Sequence, residues 1–120
     1  MASSAAMREP TYFVLTTLLD GPLHGHGIIK QAEQLSDGRV HLAAGTLYAA
    51  LDRLTREGLI EAVRQETVNG RVRQYYALTG SGASALHAEA DRMAQAARLV
   101  TARRAGRSVS PSTRPTVAFS

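Results

Sequence analysis

The fold is decided by a change of hydrophobic period within residues 44–79, which read AGTLYAALDRLTREGLIEAVRQETVNGRVRQYYALT. From about Ala44 to Gly58, leucines recur three and four residues apart, which predicts an amphipathic helix. From Leu59 to Val68 and from Arg71 to Leu78, apolar and polar residues alternate, as they do in strands. Asn69-Gly70 between the two runs suits a two-residue turn that needs positive φ at both positions. The stretch therefore predicts a helix followed by a β-hairpin.

The predicted turn fixes which residues of the hairpin face each other. It pairs Val68 with Arg71, Glu66 with Arg73, Arg64 with Tyr75, and Val63 with Tyr76. The residues expected to pack inward on one face are Val63, Val72, Tyr76 and Leu78. The residues expected to face solvent are Arg64, Glu66, Arg71, Arg73 and Tyr75.

Three further helices are predicted around this stretch. The first begins near Pro10 and is stopped by Asp20-Gly21-Pro22, because proline cannot continue the helical hydrogen bonds. The second runs from about His24 to Leu35 and is followed by a turn at Ser36-Asp37-Gly38. The fourth follows the hairpin, is capped by Thr79 and runs to about Arg104.

The composition excludes several classes of protein. The 120 residues include no cysteine, so disulfides, thiolate metal sites and cysteine nucleophiles are excluded. No apolar run approaches the ~20 residues that a membrane span needs, and the first ten residues lack the apolar stretch of a secretory signal. We therefore expect a cytoplasmic protein with no membrane partner.

No motif for catalysis, cofactor binding or metal binding stands out. Gly80-Ser81-Gly82 opens a predicted helix and is not a nucleophile elbow, and no glycine-rich phosphate loop follows a strand. His24 and His26 are two residues apart at a helix start, do not share a face and have no evident third ligand. We expect no enzymatic activity, no cofactor and no metal.

The net charge of +4 does not by itself indicate a nucleic-acid partner, because it is unevenly placed. Through Thr79 the chain has eight basic and eight acidic residues, whereas from Gly80 onward it has six basic and two acidic residues. Any affinity of the first part for DNA must come from how its charges are arranged.

Three helices, a hairpin and a long helix follow each other in the order of a winged helix-turn-helix, a mainly α fold with a small β-hairpin. In that layout the third helix enters the DNA major groove and the hairpin forms a wing over the backbone or minor groove. With its leucines inward, the third helix presents small and polar residues outward. The predicted DNA-binding residues are Gly45, Thr46, Tyr48, Ala49, Arg53 and Arg56 of this helix, Arg71 and Arg73 of the wing, and His26.

Simpler explanations stay open for several of these residues. Arg73 could be held by Glu66 opposite it, in a surface pair worth at most ~1 kcal/mol, whereas Arg71 beside the turn has no such partner. Tyr48 lies at the edge of the outward face and could instead belong to the core. For His26, a phosphate contact at a helix N-terminus is favoured over a metal ion.

The apolar positions of the fourth helix form a heptad seam in which alanine alternates with larger residues. A helix of about 25 residues, or ~37 Å, overhangs a three-helix domain, so the overhang needs a partner and a second copy can supply it. The alternative is packing against the chain's own first helices. The residues predicted for dimerisation are Leu86, Ala90, Met93, Ala97 and Val100.

These elements divide the chain into four parts. Residues 1–9 are expected to be a flexible N-terminus, residues 10–79 the winged helix-turn-helix domain and residues 80–104 the dimerisation helix. Residues 105–120 are rich in Ser, Thr, Pro and Arg without a period, which predicts a disordered basic tail.

Five short motifs follow each other within roughly residues 10 to 100. They are Gly21-Pro22-Leu23-His24-Gly25, Gly45-Thr46-Leu47-Tyr48, Gly58-Leu59-Ile60, Asn69-Gly70-Arg71 and Tyr75-Tyr76-Ala77-Leu78-Thr79. In this order and at these spacings they resemble the PadR family of transcriptional regulators, in its short form with one helix after the wing. The resemblance implies a homodimeric repressor on a palindromic operator, with the C-terminal helix dimerising the protein. It also implies, for some members, release of DNA by a small and often aromatic molecule.

The sequence departs from the family pattern at three places. His26 and Gly27 stand where the family usually has an aromatic and then an acidic residue. Ala43-Ala44 replaces the Ser-Pro that the family favours before Gly45, and loss of the capping hydroxyl typically costs ~1 kcal/mol of helix stability. The chain has no tryptophan, so the stacked-tryptophan drug pocket of one branch of the family is absent.

The sequence therefore predicts a sequence-specific DNA-binding transcriptional regulator, a repressor that acts as a homodimer. Its partners would be double-stranded DNA, a second copy and a flat aromatic effector near Met93 and Ala97. The effector is a secondary hypothesis, because alanine there equally suits close contact without a cavity. The alternative is a winged-helix protein–protein interaction module without DNA binding, which the neutral charge of the first part and the uncapped third helix favour.

Overall fold

A computed structural model describes residues 7–109 of the chain, with side chains through residue 104. Within this range it has four helices and a three-stranded antiparallel sheet. In chain order the elements are α1 (Glu9–Thr17), β1 (Leu23–His24), α2 (Gly25–Leu35), α3 (Ala44–Arg56), β2 (Ile60–Val68), β3 (Arg71–Leu78) and α4 (Gly80–Val109). The predicted fold class is confirmed, although β1 was not predicted.

The chain forms two compact units, which divide between Glu89 and Ala90. The first unit contains the three short helices, the sheet and the start of α4. The second unit contains the rest of α4, to Val109.

The core of the first unit is centred on α3. Leu47, Leu51 and Leu54 are completely buried, as the three- and four-residue spacing predicts. They belong to one apolar cluster with residues of α1, α2, β2 and the first turns of α4, namely Val14, Leu15, Leu18, Ile28, Ile60 and Leu86. Burial of three residues on one side of α3 fixes the rotation of the helix about its axis.

The turn between α2 and α3 is held by the buried side chain of Ser36. Its hydroxyl accepts a hydrogen bond from the backbone N–H of Val40 at 2.8 Å and donates one to the carbonyl of Glu33 at 3.3 Å. Asp37 and Gly38 have φ of +58° and +85°, the left-handed conformation expected of this turn. The buried backbone N–H of Val40 is thereby satisfied before α3 begins.

The hairpin closes through the predicted turn, with φ of +53° at Asn69 and +76° at Gly70. The sheet has the order β1-β3-β2, so β3 is the central strand. Near the tip the predicted register is confirmed, with the pairs Val68–Arg71, Glu66–Arg73 and Arg64–Tyr75.

Nearer the core the predicted register is wrong. Tyr76 pairs with Ala62 and not with Val63, because an irregularity in β2 between Ala62 and Arg64 inserts one extra residue. Val63 and Val72, expected to pack inward, are 44% and 64% exposed, whereas Tyr76 and Leu78 do pack against the core. Alternation along a strand defines two faces but does not say how far the core extends beneath one of them.

The short strand β1 pairs with β3, with Leu23 opposite Tyr76 and His24 opposite Tyr75. Two residues are too few to show an alternating pattern, so no periodicity indicates this strand. As a consequence α2 begins at Gly25, one residue later than predicted, and His24 lies beside the wing.

The predicted cap of α4 is confirmed. The hydroxyl of Thr79 accepts a hydrogen bond from the N–H of Gly82 at 3.0 Å and donates one to the carbonyl of Gly58 at 2.6 Å. The helix reaches Val109, beyond the predicted end near Arg104. The predicted flexible N-terminus and basic tail lie largely outside the described residues, at 1–6 and 110–120.

None of the helices within residues 7–109 is both long and apolar enough to cross a membrane.

The start of α4 is in close contact with the loop between α3 and β2. A Cβ atom added at Gly82 would overlap the backbone carbonyl of Leu59, and this carbonyl already accepts a hydrogen bond from the N–H of Thr79. A Cβ atom at Gly80, two residues earlier, would meet nothing within 4 Å. Of these two glycines, only Gly82 is therefore required for the close contact between α4 and the α3–β2 loop.

We expect Gly82→Ala to lower the free energy of unfolding by about 1–3 kcal/mol, because a backbone carbonyl has to move to admit the methyl group. Gly80→Ala is the matched control and should leave the stability unchanged or slightly raised. Denaturant unfolding followed by circular dichroism measures both. Equal stability of the two variants would contradict the close approach at Gly82.

Candidate nucleic-acid interface

The exposed face of α3 is narrow in its first two turns. Gly45, Thr46 and Ala49 are exposed and small, and a Cβ atom at Gly45 would meet nothing within 4 Å. Arg56 is exposed at the other end of the helix and takes part in none of the ion pairs among the described side chains. The N-cap residue Ala43 makes no side-chain hydrogen bond, so the expected loss of the cap is confirmed. The exposed face of α3 thus has small side chains in its N-terminal turns and a positive charge at its C-terminal end.

Tyr48 lies on the flank of this face and is 49% exposed, so it is not a core residue. Its ring covers Gly25 at the start of α2, and a Cβ atom at Gly25 would lie 2.6 Å from the phenolic oxygen. The first N–H groups of a helix have no acceptor within the helix. The contact therefore places the Tyr48 hydroxyl at the N-terminus of α2. The role of Gly25 could not be foreseen, because it depends on contact between two helices.

Arg53 makes contacts within the protein. Its guanidinium donates to the hydroxyl of Thr11 at 3.2 Å and to a carboxylate oxygen of Glu57 at 3.5 Å. The bond to Thr11 joins α3 to α1, whereas Glu57 is the C-cap residue of α3 itself. Arg53 would reach DNA only by exchanging these two bonds, unlike Arg56.

One carboxylate, that of Asp52, lies on the exposed face of α3 between the small residues and Arg56. Asp52 is exposed and takes part in none of the ion pairs among the described side chains. Burial, and after it the nearby negative charge of Asp52, raises the pKa of Tyr76 in β3. The face thus carries a negative charge as well as a positive one.

The outer face of the hairpin holds the five residues that the alternation assigned to it. The guanidinium of Arg64 lies 4.1 Å from the centre of the Tyr75 ring, and the Tyr75 hydroxyl donates to a carboxylate oxygen of Glu66 at 2.7 Å. None of the ion pairs among the described side chains includes Arg64, Arg71 or Arg73, so the Arg73–Glu66 pair that the sequence suggested is not formed. Three guanidiniums therefore share this face with two carboxylates, those of Glu66 and of Glu61 at its inner end, opposite Ala77.

Two histidines lie between the start of α2 and the hairpin. The ring centres of His24 and His26 are 6.5 Å apart and nearly parallel, and His24 is 5.3 Å from the ring of Tyr75. Burial, followed by the charges of Arg73 and His26, lowers the pKa of His24, although Glu66 opposes the shift. His26 is exposed. Within the part of the chain that the structure describes, no three His, Asp or Glu side chains are grouped to hold a metal ion.

The residues predicted for dimerisation fall into two groups. Leu86 is 3% exposed in the core of the first unit. In the second unit Met93 and Val100 are 39% and 68% exposed, and Ala97 is exposed as well. The exposed part of the seam therefore begins after Leu86.

The element order, the buried leucines of α3 and the hairpin after it define a winged helix-turn-helix protein. Residues 14–88 match the model of the transcriptional regulator PadR-like family. This match covers more than half of the chain, and the chain therefore belongs to the PadR-like family of transcriptional regulators, as its motifs indicated. The members of this family are regulators and not enzymes.

Solved structures agree with this assignment. A PadR family transcription regulator from Clostridium difficile is 24% identical, with a TM-score of 0.66 over 78% of this chain and 96% of that one, and shows the same fold. PadR of Bacillus subtilis, solved in complex with operator DNA, is 28% identical, with a TM-score of 0.59 over 67% of this chain and 45% of that one.

A curated relative is an uncharacterized 37.1 kDa protein in transposon TN4556 of Streptomyces fradiae. It is 42% identical over 82 residues, which is 68% of this chain and 22% of that protein. The chain thus spans about a fifth of the length of this relative.

Proposed function

We propose that the chain is a cytoplasmic, sequence-specific DNA-binding repressor that acts as a homodimer on a palindromic operator. The observation that carries this proposal is the combination of a slim exposed face on α3 with a wing whose three arginines have no carboxylate partner among the described side chains. The complex of Bacillus subtilis PadR with operator DNA supports it for a relative of the same family.

In this proposal α3 lies in the major groove. Gly45 and Ala49 let the backbone approach the bases, and Thr46 bonds a phosphate or a base edge. Arg56 reaches a phosphate or guanine, and Arg53 would do so after releasing Thr11 and Glu57. The Tyr48 hydroxyl, His26 and the N-terminus of α2 would bind backbone phosphates.

The wing supplies the second set of contacts. Arg71 and Arg73 would bind phosphates or enter the minor groove that adjoins the major groove occupied by α3. The charge of the first 79 residues is balanced, so the local excess of arginine on the wing face matters more than the net charge of the chain.

We expect Arg71→Ala to weaken binding to all duplexes alike and to reduce the slope of log K against log salt by about 0.9, the value for one lost phosphate contact. Arg53→Ala should instead reduce the preference for the operator over other sequences. Gel shifts at several salt concentrations measure both, with Arg8→Ala, outside α3 and the wing, as the control. A slope that is the same for wild type, Arg71→Ala and Arg8→Ala would contradict the proposed wing contact.

Asp52 gives the exposed face of α3 a preference for one kind of base. A carboxylate accepts hydrogen bonds and repels phosphate, guanine O6 and N7, and thymine O4. In the major groove it is best satisfied by the N4 amino group of cytosine. We therefore propose that Asp52 selects cytosine at one position of each half-site and weakens binding to unrelated DNA.

We expect Asp52→Asn to bind unrelated duplexes several-fold more tightly and to move the preference at one position from cytosine towards adenine, which an amide pairs with in two hydrogen bonds. Asp37→Asn is the matched control. It removes one negative charge in the α2–α3 turn, away from the exposed face of α3, and asparagine tolerates the positive φ there. Selection of bound duplexes with each variant measures the preference. If both variants select the wild-type sequence, Asp52 does not read a base.

Homodimerisation is proposed from the second unit. Its large apolar side chains Met93, Leu99 and Val100 are 39%, 60% and 68% exposed. Helices in proteins gain most of their stability by packing an apolar face, and a second copy of the same seam would bury both sets at once. A dimer would present two α3 helices to successive major grooves, ~34–36 Å apart.

We expect Val100→Glu to convert the dimer to a monomer at micromolar concentration, because it places a charge in the seam. Gln95→Glu adds the same charge on the opposite side of α4 and should leave the dimer intact. Sedimentation velocity distinguishes the two. A wild-type protein that sediments as a monomer would contradict the proposed dimer.

A small aromatic effector would bind the dimer beside Met93 and Ala97, where alanine leaves room between two copies of α4.

The second candidate function, a protein–protein interaction module without DNA binding, is favoured by the balanced charge of the first 79 residues and by the missing side-chain cap of α3. Salt-dependent binding to any duplex would exclude this second function.

A further inference from the structure

Tyr75 is the centre of the polar contacts on the outer face of the wing. Its ring lies beneath the guanidinium of Arg64, at 4.1 Å, and its hydroxyl donates to Glu66 at 2.7 Å. On its other side the ring of His24 lies 5.3 Å away. One side chain thus holds an arginine, a carboxylate and a histidine in place.

The carboxylate that Tyr75 engages has a second candidate partner. Glu66 lies directly opposite Arg73 in the register of β2 and β3, the position at which opposite charges usually attract each other. Nevertheless, none of the ion pairs among the described side chains joins them. Glu66 instead accepts from the residue two positions farther along the same face of β3.

We propose that Tyr75 is a positioning residue that keeps Arg73 free to bind phosphate by engaging Glu66, and that its ring holds Arg64 for the same purpose. The part of this inference that concerns DNA rests on the function proposed above. The part that concerns Glu66 and Arg73 does not, since it describes a competition between two donors for one carboxylate.

Removal of the Tyr75 hydroxyl separates these two roles. In Tyr75→Phe the ring under Arg64 is retained, but Glu66 loses its donor and pairs with Arg73 across the strands. The charge of Arg73 is then compensated by that of Glu66. Non-specific affinity for duplex DNA should fall about two- to fivefold, as for a surface ion pair, and the salt slope should fall by about 0.9.

The direct test is a double-mutant cycle of Tyr75→Phe and Glu66→Gln, with affinity for a random-sequence duplex measured at several salt concentrations. Glu66→Gln removes a negative charge and should tighten binding in either background. The gain should be larger in the Tyr75→Phe background, and the double variant should recover the salt slope lost in Tyr75→Phe. Equal gains in the two backgrounds would overturn the inference.

A measurement without DNA distinguishes the positioning role of Tyr75 from the proposed DNA-binding function. Hydrogen exchange of the Arg73 Nε–H, followed by NMR in the free protein, should slow in Tyr75→Phe and return to the wild-type rate in the double variant. An unchanged rate would overturn the inference whatever the DNA result. If exchange slows but the wild type binds no duplex, the positioning role stands and the proposed function fails.

Tyr76→Phe is the matched control. Tyr76 is the next residue of β3, faces the core side of the sheet and donates no hydrogen bond among the described residues. Loss of its hydroxyl should change neither the salt slope nor the exchange of Arg73. A change as large as that in Tyr75→Phe would show that the effect is a general disturbance of the strand and overturn the inference.

Discussion

The burial of Leu47, Leu51 and Leu54 is the constraint on which the rest of the structure depends. These side chains lock α3 into the core of the first unit, and they therefore decide which residues of the helix remain outside. A single rotation of α3 exposes its small residues, its one carboxylate and Arg56 together. Ser36 in the preceding turn accepts from the N–H of Val40, and Thr79 at the start of α4 accepts from the N–H of Gly82, so one backbone donor is satisfied at each of these two junctions.

The wing shows that arrangement, and not net charge, makes a surface suited to a polyanion. Acidic and basic residues are equal in number through Thr79. On the outer face of the hairpin, however, three arginines lie with two carboxylates, and the carboxylate among the arginines, that of Glu66, is bound to Tyr75. The surface so formed is continuous with the histidines and the helix start that β1 brings beside it.

Much of this fold could be predicted from the sequence, because its signals are local. The leucine spacing of α3, the Asn-Gly turn and the register near the hairpin tip each depend on neighbouring residues. What escaped prediction depends on tertiary contact: the two-residue strand β1, the irregularity beside Val63, the bond of Arg53 to Thr11 and the contact of Tyr48 with Gly25. The hydrogen bond of Glu66 to Tyr75 was also not predictable, since strand pairing alone favours Arg73 as the partner of Glu66.

The proposed function requires that two copies of the exposed α3 face read DNA at a spacing set by the dimer. The most direct measurement is the selection of bound duplexes from a random pool by the wild-type protein, followed by sequencing. A dimer that binds in this way selects two inverted half-sites whose centres are about one helical turn, roughly 10 base pairs, apart. Enrichment of a single half-site, or of no sequence at all, would contradict it.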